Sequence, residues 1–234
     1  GKRAAIVGLD VCSVPIGLVQ DALAVAGVEG LPIENTMVAA SHSHAGLEGF
    51  ALDKRNIAGN PHIGVFSPEM LAFTVERLAR ALEAAEKDLQ PARVGAGTAQ
   101  LPGMNRNRRG DACTDQDLTV LRVDRVDGTP LAVHVNFTAH GTIMSPEEML
   151  ISGGWAGVMQ RTCEALLGGD VTCLYANGAE GDISPTGHTG GSRWERAENY
   201  GRRVGIAAAE LARGVETGEV SGFEVACEWV QLPK

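Results

Sequence analysis

The sequence predicts an α/β protein, a layered domain in which a mixed β-sheet is flanked by helices. Short apolar runs rich in β-branched residues alternate along the chain with segments whose apolar residues recur every three or four positions. The chain has 234 residues, of which 44% are apolar and 21% charged, so it can bury a sizeable core. We therefore expect residues 1–234 to form a single domain.

Each predicted element rests on its local pattern. The helix with the clearest signal follows Ser67, which can cap its N-terminus, and begins with Pro68 and Glu69, which suit a first turn. The polar segment 102–117 is predicted to be a loop. In chain order, the predicted elements are strand 3–11, helix 15–28, strand 36–44, helix 67–89, strands 93–101, 118–124 and 131–139, helix 156–168, strand 171–176, helix 193–215 and strand 223–232.

The charge and the composition of the chain argue against some classes of binding partner. The 20 Lys and Arg residues stand against 29 Asp and Glu, a net charge of −9, which argues against a nucleic-acid partner. No apolar window is long enough to predict a transmembrane segment. The five cysteines are far apart and include no C-x-x-C pair, so they indicate neither a disulfide framework nor a structural zinc site. We expect the partner to be a small molecule or a lipid.

Histidines follow two of the predicted strands. His42 and His44 end the run "TMVAASHSH", and His140 ends "VHVNFTAH". Because residues i and i+2 of a strand point to the same side, the first two should project side by side, about 6 to 7 Å apart. The three histidines form a plausible partial zinc set, although one of them could instead contact the substrate or orient a ligand. The alternative is a solvated pair at a strand end. His134 is interpreted as structural, and His62 and His188 stay unassigned.

The loop "YANGAEGDISPTG" (175–187) follows a third apolar strand. Ser184, held in a glycine-rich turn at the edge of a sheet, could be a nucleophile if a base or a metal activates it. The same Asp-x-Ser-Pro pattern is common in ordinary turns, so the alternative of a plain turn stays open. The stretch does not match the G-x-S-x-G nucleophile elbow.

Together, "SHSHAG", "NFTAHGT" and "NGAEGDISP", with the Asn-Arg loop "MNRNRR" (104–109), resemble the neutral, non-lysosomal ceramidases over roughly residues 35–210. The resemblance implies a zinc-dependent hydrolase of an amide bond. It implies that His42 and His140 bind Zn²⁺, that His44 is a neighbouring catalytic group that hydrogen-bonds or contacts the substrate, and that Ser184 attacks the amide carbonyl. It further implies the following roles: Asp182, with Gly181, shapes the serine loop, and Arg106 or Arg108 reaches the substrate or the oxyanion.

The sequence also departs from the family pattern. Gly154 in "ISGGWAG" stands where the family has an acid. We expect the chain to be part of a longer polypeptide, in which a glutamate and a tyrosine beyond residue 234 complete the zinc shell. Two hypotheses follow: a zinc-dependent hydrolase of an N-acyl sphingoid lipid or of a smaller amide or ester, and a non-catalytic α/β domain with an incomplete metal site. Metallo-β-lactamase-like and amidohydrolase folds match the motifs and the chain length less well.

Overall fold

The computed structural model describes residues 2–55, 64–168 and 170–231. The predicted fold class is confirmed, since a mixed sheet is flanked by helices. The elements in chain order are β1 (Ala5–Leu9), α1 (Ile16–Ala26), β2 (Thr36–Ala40), α2 (Pro68–Lys87), β3 (Ala92–Gln100), β4 (Asn105–Asn107), β5 (Asp117–Arg125), β6 (Pro130–Phe137), α3 (Gly154–Leu167), β7 (Thr172–Asn177), β8 (Ile183–Pro185) and α4 (Arg193–Gly214).

The main sheet has the strand order β3-β5-β6-β7, in which β6 and β7 are parallel and the other neighbours are antiparallel. The parallel pair β1-β2 adjoins β7, where a Cβ on Gly8 would lie 3.3 Å from the Tyr175 carbonyl oxygen. Beyond the strand ends, Ser43 and Gly141 form a parallel bridge. The segments that follow β2 and β6 therefore run side by side in the same direction, which brings their histidines to one edge.

Two hydrophobic clusters hold these layers together. The larger one joins the sheet to α3 and α4, and Trp155 lies inside it with its ring edge-on to the rings of Phe137, Tyr175 and Tyr200. The smaller one packs α1 and α2 against β1, with Leu18 at its centre. Each large apolar side chain buried in this way stabilises the fold by about 1.5–3 kcal/mol.

Side chains cap the starts of two helices, and the sequence predicted the first of these caps. The Ser67 hydroxyl accepts a hydrogen bond from the Met70 amide at 3.2 Å and caps α2. Ser192 and Glu195 form a reciprocal capping box at the start of α4. Caps of this kind are worth about 1 kcal/mol each. Within the described ranges, no helix is both long and apolar enough to cross a membrane.

Two expectations about the elements were wrong, and two positions could not be compared. Residues 223–231 form no strand, and Trp229 is 64% exposed, because the alternating pattern there meets no strand edge with which to pair. The segment predicted as a loop at 102–117 contains β4, which pairs with β8; strands of three residues are too short to show a period. Residue 232, at the end of that predicted strand, and the unassigned His62 lie outside the described residues.

Candidate metal centre

Three imidazoles converge at the carboxyl edge of the sheet. The Nε2 atoms of His42 and His140 are 3.0 Å apart, those of His42 and His44 are 3.2 Å apart, and those of His140 and His44 are 3.1 Å apart. The three nitrogens therefore form a nearly equilateral triangle. The sequence predicted that these residues would meet, and the structure brings all three together.

The reason given for the approach of His42 and His44 was wrong. β2 ends at Ala40, and His42 has a φ of +59°, so the pair lies in a turn and not in an extended strand. A left-handed conformation is uncommon for a residue with a side chain, costs of order 1–3 kcal/mol, and persists only where the surrounding structure imposes it. This turn, and not strand alternation, directs both rings to one point.

Gly141 allows the His140 segment to approach the His42 segment. A Cβ on Gly141 would lie 2.0 Å from the His42 carbonyl oxygen and 3.1 Å from Cα of Ser43. Only a residue without a side chain fits between the two backbones. The glycine after His140 in the sequence is thus part of the geometry of the site.

Backbone carbonyls fix the protonation of two of the rings. Nδ1 of His42 lies 2.6 Å from the Cys12 carbonyl oxygen, and Nδ1 of His140 lies 3.0 Å from the Glu180 carbonyl oxygen. A carbonyl oxygen can only accept, so each Nδ1 must carry the proton and donate. Each neutral ring then presents the unprotonated Nε2, the tautomer of a metal-binding histidine, to the triangle.

The spacing of the triangle fits a small metal ion. Zn²⁺ binds imidazole nitrogen at about 2.0–2.1 Å, and tetrahedral angles place two such ligands about 3.3–3.4 Å apart. The observed separations of 3.0–3.2 Å are slightly shorter. Because the His42 and His140 tautomers leave no proton between their Nε2 atoms, two lone pairs face each other at 3.0 Å, and a cation between them would turn that repulsion into attraction.

The Cys12 sulfur lies near this triangle, on the Nδ1 side of the His42 ring. This sulfur is within 4.8 Å of ligand atoms of His42 and His44, and it lies 3.7 Å from Nδ1 of His42. Nδ1 already donates to the Cys12 carbonyl and is not the nitrogen that faces His140. Burial, followed by the charges of Glu48 and Glu180, raises the pKa of the Cys12 thiol, which favours the protonated form. We therefore assign Cys12 the role of orienting the His42 ring, through its backbone carbonyl.

The surroundings of the rings favour neutral imidazoles. Burial lowers the pKa of His44 to about 4, with further contributions from the charges of His42, His140 and Arg108. Burial also lowers the pKa of His140, again with a contribution from Arg108. Neutral imidazole is the metal-binding form, so His44 keeps this form well below neutral pH, and the lowered pKa of His140 acts in the same direction.

The loop that carries Ser184 is joined directly to His140. The His140 amide donates to the Ile183 carbonyl at 3.0 Å, and Ser184 follows in β8, opposite Arg106 in β4. Directly opposite residues share a face of a sheet, so Arg106 and Ser184 lie side by side. Of the two candidate arginines, Arg106 lies next to the serine and Arg108 is the one whose charge acts on the histidines.

Asp182 contributes to the shape of this loop. Its carboxylate accepts a hydrogen bond from Nδ2 of Asn107 at 3.0 Å, and its carbonyl accepts one from the Arg108 amide at 2.7 Å. Both bonds tie the loop to β4, on whose other face Arg106 is exposed. The contacts agree with the shaping role implied for Asp182.

Sequence reasoning missed several residues that hold the histidines. Glu180 accepts from His140 through its carbonyl, and its carboxylate lies 3.6 Å from Nδ1 of His42. Trp155 donates from Nε1 to the His140 carbonyl at 3.3 Å. The sequence carries no signal for a carbonyl contact such as that of Cys12, whereas Glu180 lay within the quoted loop and could have been considered.

Gly154, which the resemblance aligns with an acid of the family, begins α3 with a φ of +59°. A Cβ there would lie 3.7 Å from the Ser43 hydroxyl and 3.9 Å from Met144, both ordinary contacts. A side chain at this position would therefore sit beside the histidine turn. The backbone conformation is one that Asp and Asn tolerate better than most residues.

Residues 2–198 match the family model described as neutral/alkaline non-lysosomal ceramidase, N-terminal. The chain belongs to this family. It is 29% identical to the neutral ceramidase of Mycobacterium tuberculosis, over 65% of this chain and 27% of that protein. It is 26% identical to neutral ceramidase A of Dictyostelium discoideum, over 79% of this chain and 29% of that protein. The chain thus spans less than a third of the length of these relatives.

Solved structures show the same fold. The crystal structure of neutral ceramidase from Pseudomonas aeruginosa superimposes with a TM-score of 0.74 at 23% identity, over 90% of this chain and 36% of that one. A structure described as ceramidase complexed with C2 gives a TM-score of 0.76 at 24% identity, over 92% of this chain and 37% of that one. At this level of identity, the likeness extends to the fold.

Proposed function

We propose that this chain carries the zinc-binding histidines and the nucleophile of a hydrolase that cleaves the amide bond of an N-acyl sphingoid lipid. The observation that carries the proposal is the Nε2 triangle, whose nitrogens lie 3.0–3.2 Å apart. Backbone carbonyls set the metal-binding tautomer of His42 and His140 in advance. Membership of the ceramidase family supports the class of substrate.

The three histidines take different roles in this proposal. His42 and His140 would hold the ion, since each Nδ1 is occupied by a carbonyl. Among the described residues, His44 has no such contact at Nδ1, so this nitrogen is available to another partner. His44 is therefore suited to hydrogen-bond with the substrate, as a donor or as an acceptor. A bound zinc ion would supply Lewis-acid polarisation of a carbonyl group.

The serine loop would supply the remaining chemistry. The Ser184 oxygen attacks the amide carbonyl, the C–N bond breaks, and the hydroxyl proton ends on the departing amine; water then releases the fatty acid. Arg106, side by side with Ser184, would stabilise the negative charge on the carbonyl oxygen in the transition state. Asp182 keeps the loop in place through Asn107.

The test measures metal first and activity second. Purified wild-type protein should contain close to one zinc per chain, and His42→Ala and His140→Ala should each lose it. His134→Ala is the matched control, because His134 lies on β6 outside the triangle and should keep the metal. Wild-type protein that binds no zinc when saturated would sink the proposal and favour the non-catalytic alternative.

Hydrolysis is then tested on ceramides and on short N-acyl amides. Ser184→Ala should retain zinc and lose activity by about a thousandfold or more, as expected when a nucleophile is removed. A Ser184→Ala protein with full activity would refute the role of this serine and leave the metal assignment standing.

A further inference from the structure

We propose that Asn177 is a positioning residue that sets the separation of His42 and His140 and so tunes the affinity of the metal site. The inference rests on the metal centre proposed above. Asn177 is the last residue of β7, and among the described residues its side chain forms hydrogen bonds with backbone atoms and with neither imidazole. Its amide instead binds the backbone just before each of these two histidines.

The contacts of the Asn177 amide are specific. Oδ1 accepts from the Ala139 amide at 3.1 Å, and Nδ2 donates to the Ala139 carbonyl at 3.0 Å. Nδ2 also lies 3.4 Å from the carbonyl oxygen of Ser41. Ala139 precedes His140 and Ser41 precedes His42, so one side chain joins the two peptides from which the two rings project.

This side chain replaces a missing section of the sheet. The parallel ladder of β6 and β7 ends at the pair Phe137 and Asn177. The chain then turns away through Gly178, where a Cβ would lie 1.9 Å from the Thr138 hydroxyl oxygen. Since the backbone of β7 no longer reaches Ala139, the Asn177 amide supplies the donor and the acceptor that a continuing strand would have offered.

The Asn177 amide affects the metal site through the distance between the two ligand nitrogens. An ion with bonds of about 2.0–2.1 Å needs its two nitrogens held near 3.3 Å. When the amide is removed, the segments after β2 and β6 lose their shared contact, and the 3.0 Å separation of the two Nε2 atoms is held less firmly. Residues that orient metal ligands from outside the first shell typically contribute 10- to 100-fold to metal affinity.

The experiment compares Asn177→Ala and Asn177→Asp with Asn136→Ala. Asn136 is the matched control, because its Nδ2 also joins β6 to β7, at the Ala176 carbonyl (2.9 Å), but it does not contact the peptides before the histidines. The purified full chain is titrated with Co²⁺, whose visible absorption reports the coordination geometry, and with Zn²⁺ in competition with a chelator.

Asn177→Ala should lower Zn²⁺ affinity by about 10- to 100-fold and alter the Co²⁺ spectrum, whereas Asn136→Ala should leave both unchanged. Asn177→Asp keeps the acceptor for the Ala139 amide but turns a carboxylate oxygen towards the carbonyl oxygens of Ala139 and Ser41, so its affinity should fall at least as far as that of Asn177→Ala. If wild type and both Asn177 variants bind alike with the same spectrum, the inference is overturned and the metal centre stands. If wild type binds neither ion, the proposed function fails and the inference fails with it.

Discussion

Gly141→Ala tests how closely the two histidine segments must approach. The new Cβ would lie 2.0 Å from the His42 carbonyl oxygen, while ordinary contact begins at 3.4 Å, so the segments must separate by about 1.4 Å. A rigid shift of that size along the line between the Nε2 atoms of His42 and His140 takes them from 3.0 Å to about 4.4 Å, the largest separation that the shift can produce. Two zinc–nitrogen bonds span at most about 4.1 Å, so one ligand is lost.

The expected result is a fall in zinc affinity of at least about 100-fold, because losing a ligand exceeds the usual effect of an outer contact. Stability should fall by about 1–3 kcal/mol, the usual cost of forcing extra atoms into a packed site. Zinc affinity is measured by chelator competition and stability by urea unfolding. The control is Gly17→Ala in α1, where nothing lies within 4 Å of the new Cβ and a helix gains about 0.5–1 kcal/mol. A Gly141→Ala protein that is folded and binds zinc as tightly as wild type would refute the reasoning.

Two further predictions concern acid and the core. Metal-free protein should lose stability as the pH falls from 6.5 towards 4, because the pKa of His44 is lowered to about 4 and the unfolded chain binds more protons in that window. The midpoint of urea unfolding should therefore drop across this range. An unchanged midpoint would contradict the lowered pKa of His44. Trp155→Phe should lower the free energy of unfolding by about 2–3 kcal/mol, since it removes packing at a side chain only 1% exposed and the hydrogen bond to the His140 carbonyl. Urea unfolding measures this change. A loss below about 0.5 kcal/mol would contradict the importance of that hydrogen bond.

The sequence predicted the long elements well because their signals are local. Ser67 and Pro68 mark the start of α2 through capping chemistry that needs no tertiary context. The strand at 223–231 failed because pairing depends on a free neighbouring edge, which alternation in one segment does not report. β4 and β8 were missed because each exists only where the other lies beside it, and neither segment indicates this on its own.

The same division holds for the site. The three histidines were visible as residue types at strand ends, whereas the left-handed turn at His42 was not, because it is imposed by neighbours and not by its own propensity. Contacts made by backbone carbonyls, such as that of Cys12 with His42, leave no trace in residue identity. Glycine is the exception, since Gly141 can be explained only by a close approach that its absent Cβ allows.

His140 shows how neighbouring residues hold one ring of the site in place. Its amide donates to Ile183, its carbonyl accepts from Trp155, and its Nδ1 donates to Glu180, so the loop after β7 and helix α3 together fix one residue. Each bond is worth only about 0.5–1.5 kcal/mol net, but together they leave the ring little freedom to rotate. If the proposed site holds zinc, binding would therefore not have to offset the entropy of arranging this ring. Among the described residues, His44 has no comparable contact at Nδ1, so we expect its ring to be held less firmly than that of His140, a difference that the ring-proton NMR line widths of the two histidines would measure.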